Sequence, residues 1–491
     1  MRKSGVLLHI TSLPSPGGCG TLGREARDFV DWLKAAGMGI WQVLPIGPTG
    51  YGDSPYQSPS TFAGNLMLID LRTLHEQGLL AEPAEAYIPE VETEYAVIRR
   101  EKIAALRQSF SESREKTADA VTAFTAAHPY LEEYALFMAV KDYFGGRKWI
   151  DWPDLSIRFR DEAALGHYRR ILKDDVDFYL YTQYLFREQW SALKAYAHQN
   201  GVQILGDMPI YVSEDSADTW AHPEIFQLDR DHRPVKVAGV PPDYFSEDGQ
   251  LWGNPLYNWK KLKRTGFSWW LDRLKNAGEW YDMVRIDHFI GFANYYAIKA
   301  GAKNARVGKW EKAPGFRFFR TVRKKLPELS IVAEDLGVVS RRVRRLLAYT
   351  GYPGMRVMQF GFDSDETNPH FLNNIPENCL LYTGTHDNDT TEGWWQKLNE
   401  DVRAFALRCL PERDKISEAM TQAALNSMAD TAIIPAQDIL ALGSEARMNT
   451  PGTVGGSNWM WRMAPGALTL QKALEVRDMN EYFERNRHDT V

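Results

Sequence analysis

An α/β fold, closed as a parallel (β/α)8 TIM barrel, is what the sequence predicts, and three observations predict it. Eight short apolar runs recur along the 491 residues, helical patterns lie between many of them, and no low-complexity linker or internal repeat divides the chain. The runs are too continuously apolar for strands with one wet face, which suits parallel strands buried on both faces. Strand and helix in alternation imply a parallel sheet. Eight strands over this length favour closure over an open doubly wound sheet.

The first run is VLLHI (6–10), followed by a loop with Pro14 and Pro16 and a helical pattern over 24–36. IWQVLPI (40–46) is the second run. Residues 72–200 are rich in Ala, Glu, Arg, Leu and Tyr at helical spacing, and read as an inserted helical subdomain ending in a pattern over 187–199. VQILGDM (202–208) is third. Residues 212–280 hold Pro241, Pro242, Gly249, Gly253 and Pro255 among many aromatics, and read as an inserted loop region over one barrel end. Then come MVRIDHF (283–289), a helix over 316–325, LSIVAED (329–335), a helix over 338–348, MRVMQFGF (355–362) and CLLYTG (379–384). A helical stretch over 400–427 precedes the last run, TAIIPA (431–436). The expectation is one catalytic barrel domain over 1–491, with both insertions at the C-terminal face, where barrels gather their chemistry.

Composition narrows the function. Fifty-eight Lys+Arg against sixty-four Asp+Glu leave a net charge of −6, which argues against general affinity for nucleic acid. Cys19, Cys379 and Cys409 are far apart and form no metal-ligand or disulfide pattern, so a reducing compartment fits. The 6–10 run is too short for a signal peptide, and YALFMAV (134–140) cannot span a bilayer. A cytoplasmic protein, monomer or homodimer, is expected. Aromatic residues make up 12%, which suits either a large core or a cleft that stacks on flat apolar ligand faces.

Polar residues end the runs: Asp207 the third, Arg285, Asp287 and His288 the fourth, Glu334 and Asp335 the fifth, His386 and Asp387 just past the seventh. Arg285 and Asp287 are two apart and so face one way on a strand. An arginine beside a carboxylate favours its ionised form, as a nucleophile requires, although structural ion pairs look the same. Asp287, Glu334 and Asp387 would ring one mouth. Glycoside chemistry needs two such carboxylates, and a third can support oxocarbenium-like charge. A hard-cation site is the competing use of three acids, but Arg285, His288 and His386 are odd neighbours for it.

RIDHFIGF (285–292), AEDLG (333–337) and TGTHDNDTTEGWW (383–395) resemble the signature segments of the 4-α-glucanotransferases called amylomaltase or disproportionating enzyme, glycoside hydrolase family 77. Segments 9–23, 41–65, 206–220, 239–259, 308–315 and 452–462 agree, in order, along essentially the whole chain. The resemblance implies Asp287 as nucleophile, Glu334 as general acid/base and Asp387 as transition-state stabiliser. It implies that Arg285, His288, His386 and Asp207 contact or position the donor-subsite sugar, and that Ser54, Tyr56, Gln250 and Trp252 line or close the cleft. Asn458 and Phe360 are implied more weakly. The substrates would be α-1,4-glucans and malto-oligosaccharides, transferred by a retaining double displacement without metal or organic cofactor.

Other features read as bland. Gly18, Gly20 and Gly23 match a dinucleotide fingerprint, but the loop is too long and no acid ends the second strand. Trp394 and Trp395 are as suited to packing as to stacking on sugar. Tyr51 reads as a loop anchor, His9 as a hydrogen-bonded histidine at the core or mouth, and RREK (99–102) as a solvated helix face. A glucan-binding protein on an inactive barrel would usually lack one carboxylate. An α-glucan hydrolase would differ only in its final acceptor.

Overall fold

A computed structural model of the protein describes residues 2–82, 95–242, 246–363 and 365–485. Among these residues twelve strands form two sheets. In chain order they are β1 (Lys3–Leu7), β2 (Ile40–Gln42), β3 (Gln203–Pro209), β4 (Lys236–Val240), β5 (Gln250–Pro255) and β6 (Met283–Asp287). There follow β7 (Asn294–Lys299), β8 (Gly308–Lys312), β9 (Ser330–Ala333), β10 (Gly354–Val357), β11 (Cys379–Tyr382) and β12 (Thr431–Pro435).

Eight strands, one from each apolar run, make a parallel sheet in the order β10-β11-β12-β1-β2-β3-β6-β9. The two ends meet: the Ala333 N–H donates to the Pro353 carbonyl at 2.9 Å, and the Met355 N–H donates to the Asp335 carboxylate at 2.7 Å. Gly354 permits this closure, because a Cβ there would stand 2.7 Å from Asp335 Oδ1. Alternation sorts the side chains. Leu7, Leu205, Val332, Met355, Val357, Leu380, Tyr382 and Ile433 fill the barrel interior. Val284, Ile286, Ile331 and Ile434 pack outward in the larger core beneath the helices. Truncating an interior residue such as Leu205 to Ala would cost about 2–5 kcal/mol.

The helices follow the expected patterns with two informative differences. The helix expected over 187–199 begins at Lys173 and runs to Gln199. The stretch over 400–427 is two helices, Glu400–Cys409 and Ile416–Asn426. Pro411 follows the first, and proline cannot continue a helix that needs its N–H. Residues 72–200 are helical wherever regular structure is described, with Tyr95–Ala127, Tyr130–Tyr143 and Lys173–Gln199 the longest. The insertion reaches the barrel mouth, where Tyr95 Oη donates to the Trp459 carbonyl at 3.0 Å. RREK is a solvated face only in part: Arg100 and Glu101 are exposed, but Lys102 is buried, and its ammonium donates to the Ile69 carbonyl at 2.6 Å.

Residues 212–280 are more ordered than a loop region. They carry β4, β5 and the helices Ala217–Ala221, Trp259–Arg264 and Ser268–Trp280. β4 and β5 join β7 and β8 in an antiparallel sheet ordered β5-β4-β7-β8. β8 has the charged, exposed sequence GKWEK of an edge strand. This sheet brings Gln250 and Trp252 to the cleft.

Candidate active site

Strand register builds the first half of the site. β3 and β6 pair with Asp207 opposite Arg285. Arg285 lies on the inward face, only 4% exposed, and a guanidinium there needs partners. It donates to both Asp207 oxygens at 2.6 and 2.7 Å, and its other terminal nitrogen lies 3.1 Å from Asp287 Oδ1. Asp207 is wholly enclosed, whereas 30% of the Asp287 side chain is open. Tyr56 Oη donates to Asp207 Oδ2 at 2.7 Å and lies 2.9 Å from His386 Nε2. The phenol has one hydrogen, so His386 Nε2–H donates to its oxygen. Burial holds the Tyr56 phenol well above its usual pKa and His386 below its own, so Tyr56 stays a donor and His386 stays neutral.

Glu334 sits beyond the end of β9, beside His288. The chain turns sharply after β6, with His288 at φ +51°, a left-handed conformation uncommon outside glycine. That turn aims the His288 N–H at Glu334 Oε2, 2.7 Å away, while the Leu336 N–H reaches Oε1 at 2.7 Å. Burial pushes Glu334 up to about 8, and the charge on Asp287 adds to the rise, with Arg285 opposing. Asp287 is also raised. Burial outweighs Arg285, and the charges of Asp207 and Asp387 add to it. The expected lowering by Arg285 is therefore the smaller of two contributions. The higher affinity for the proton lies with the more enclosed Glu334, and Asp287 beside Arg285 is the one left ionised.

Asp387 completes the ring from a loop. It is 44% exposed and lies 3.4 Å from His386 Nε2. Asn449 Nδ2 donates to its Oδ1 at 2.6 Å, and Arg447 donates to its main-chain carbonyl at 2.7 Å. The three carboxylates line one long cleft with Ser54, Tyr56, Arg285, His288 and His386.

Two ionisable carboxylates with one proton between them, a third acid opposite and a long open cleft are the parts of a retaining glycoside-transfer site. A family model described as 4-alpha-glucanotransferase, glycoside hydrolase family 77, matches residues 8–469. The chain belongs to this 4-α-glucanotransferase family. It is 49% identical to the 4-alpha-glucanotransferase of Thermus thermophilus over 99% of both chains. It is 42% identical to that of Streptococcus pneumoniae, covering all of this chain and 99% of the relative. The amylomaltase of Streptococcus agalactiae, solved in complex with acarbose, superposes with a TM-score of 0.95 at 41% identity, over 99% of this chain and 100% of the other.

Against this glucanotransferase frame most expected residues reach the cleft: Ser54, Tyr56, Gln250, Trp252, Phe360 and His386 all line it. Trp252 stands edge-on to the His288 ring at 4.8 Å and donates to Gln250 at 3.1 Å. Two do not line it. Asp207 is closed off by Arg285 and Tyr56, and holds those two groups in place. The Asn458 amide accepts from the Thr450 N–H at 3.0 Å and donates to Thr453 Oγ1 at 2.9 Å, bracing the loop that carries Asn449. Tyr51 is no loop anchor: it is 73% exposed at the cleft rim. His9 is buried as expected, but its Nδ1 has no hydrogen-bond partner among the described residues. Trp394 packs on Phe362 and Trp395 under Arg403, both outside the cleft. Sequence reasoning missed Asn449, Arg447 and Trp459. Arg447 and Asn449 hold Asp387, and the Trp459 ring lies 5.7 Å from Tyr56 and 5.9 Å from His386; all three sit in an irregular segment with no periodicity.

Proposed function

We propose that Asp287 is the nucleophile, Glu334 the general acid/base and Asp387 the transition-state stabiliser of α-1,4-glucan transfer in this chain. The observation that carries the assignment is the unequal housing of the first two. Glu334 is enclosed and holds its proton, while Asp287 opens to the cleft against Arg285.

In the first step an Asp287 oxygen bonds to the anomeric carbon, and the glycosidic C–O bond breaks as Glu334 gives its proton to the leaving 4-oxygen. This leaves a covalent glycosyl-enzyme and an anionic Glu334. The His288 and Leu336 N–H groups stabilise that anion. In the second step Glu334 takes the proton from the 4-hydroxyl of an incoming glucan, whose oxygen attacks the anomeric carbon from the side opposite Asp287 and breaks the ester bond, so two inversions retain the α configuration. Asp387, fixed by Asn449, faces the positive charge of both transition states. Trp252 and Tyr51 offer flat faces to the glucan along the cleft. The chain's own side chains and backbone N–H groups carry these steps, in one barrel domain, as a cytoplasmic monomer or homodimer.

Incubation with maltotriose tests the reading. It predicts a ladder of longer oligosaccharides plus glucose with the number of reducing ends unchanged, and none of this from Asp287→Ala. Short products with rising reducing ends would show a hydrolase instead.

A further inference from the structure

Charge is segregated along this chain. Residues 299–345 carry fourteen Lys or Arg against four Asp or Glu, inside a protein of net charge −6. The segment forms one flank of the barrel. The helix Gly315–Lys325 presents Arg317, Arg320 and Arg323 to solvent, and the adjoining helix Arg341–Thr350 presents Arg341, Arg344 and Arg345. The helices join through Tyr349, which packs on Phe316 at 5.4 Å with the Arg323 guanidinium 4.4 Å above its ring. None of the six arginines is ion-paired among the described residues. The neighbouring Arg306, by contrast, pairs with Asp248.

The flank is continuous with the cleft. Lys303 and Trp310 line the cleft from the side that leads into the first helix, and Val338 lines it just before the second. Trp310 is 40% exposed and offers an aromatic face at that junction. Arginine is the side chain whose planar fork matches phosphate oxygens. A half-exposed ring at the cleft, followed in the chain by solvent-facing guanidinium groups without ion pairs, suits a polymer that is sugar and phosphate at once.

We propose that this flank binds phosphate monoesters carried by the α-glucan whose chain occupies the cleft, so that phosphorylated glucan is a preferred polymeric substrate. The inference rests on the glucan-transfer reading above for its ligand, but its binding test stands apart from turnover. The probes are amylopectin bearing phosphate monoesters, the same polymer after phosphatase treatment, and maltotriose. The wild type should bind and use the phosphorylated polymer with KM lower by about fivefold at low salt. High salt should erase the difference, because exposed charges are screened. The triple variant Arg341→Gln, Arg344→Gln and Arg345→Gln should lose the preference and disproportionate maltotriose as the wild type does. The corresponding Arg→Lys triple should keep part of the preference.

Equal binding and equal KM for the two polymers would overturn the proposal. So would a preference that survives the triple Gln variant, or an RNA or anionic vesicle that binds the flank more tightly than the phosphorylated polymer. Preferential binding with no maltotriose ladder would sustain this inference and sink the transfer reading alone.

Discussion

Asp287 and Asp387 look into the same cleft from supports of opposite kind. Asp287 is the last residue of β6, aligned by strand register and clamped by an arginine that also holds the enclosed Asp207. Asp387 lies five residues past the end of β11, 44% exposed, and is held by Asn449 and Arg447 from a distant irregular segment. The strand-held side is part of the barrel interior, so its polar groups stabilise the fold and set the chemistry together. In the proposed mechanism the loop-held side contributes to the chemistry without anchoring the core. Substitutions should therefore separate the two: on one side activity and stability fall together, on the other activity falls alone.

The largest expected effect is at Asp287. Asp287→Ala should lower kcat by about four orders of magnitude or more, since it removes a group that acts as a unit with its partners; loss of under tenfold in a maltotriose assay would reject it as nucleophile. Arg285→Ala should come next and should mark the strand-held side. It leaves Asp207 buried and unpaired, so unfolding should be easier by about 3–5 kcal/mol, with activity lost in parallel. An unchanged denaturation midpoint would break the comparison.

On the loop-held side, Asn449→Ala should lower kcat by about tenfold, the effect of a lost hydrogen bond to a charged group, with the melting temperature close to wild type. A melting temperature lowered as far as in Arg285→Ala would erase the distinction. Asn458→Ala should have the smallest effect, because it braces Asn449 at one remove. Within about threefold in kcat is expected, because the two neutral hydrogen bonds it loses act on Asp387 only through the loop.

The pH profile sharpens the strand-held half. The first step needs Asp287 ionised and Glu334 protonated. Both are raised, so activity should peak near neutrality, fall on the acid side as the pair gains a second proton, and fall on the alkaline side as Glu334 loses its proton near pH 8. An α-maltosyl fluoride donor needs no proton on its leaving group. With it the alkaline limb of glycosyl-enzyme formation should vanish; a limb that persists would place the alkaline titration elsewhere.

What could be read from the sequence divides along the same line. The eight barrel strands were legible because burial on both faces leaves continuous apolar runs, and two-residue alternation already set Arg285 beside Asp287. Asp207 was legible as a strand-end acid, but not its enclosure, which depends on cross-strand pairing with Arg285. β8 escaped because an exposed, lysine-bearing edge strand has no apolar signature, whereas β7 is buried over 295–298 and its short apolar stretch lies too close behind the 283–289 run to stand out as a separate strand. The split at Pro411 had its signal in the sequence, and helical composition on either side masked it. Asn449 and Arg447 were out of reach, since hydrogen bonds to a residue about sixty positions away leave no local pattern. Lys102 shows the converse: a run of charges looked solvated, and one of them is buried on a backbone carbonyl.

The central claim is that Asp287 takes the sugar and Glu334 handles the proton. The most direct test treats Glu334→Gln with an α-maltotriosyl fluoride, quenches, digests with protease and locates the added sugar mass. The account predicts an accumulated glycosyl-enzyme with the maltotriosyl group ester-linked to Asp287. The same mass on Asp387, or on Asp207, would contradict it.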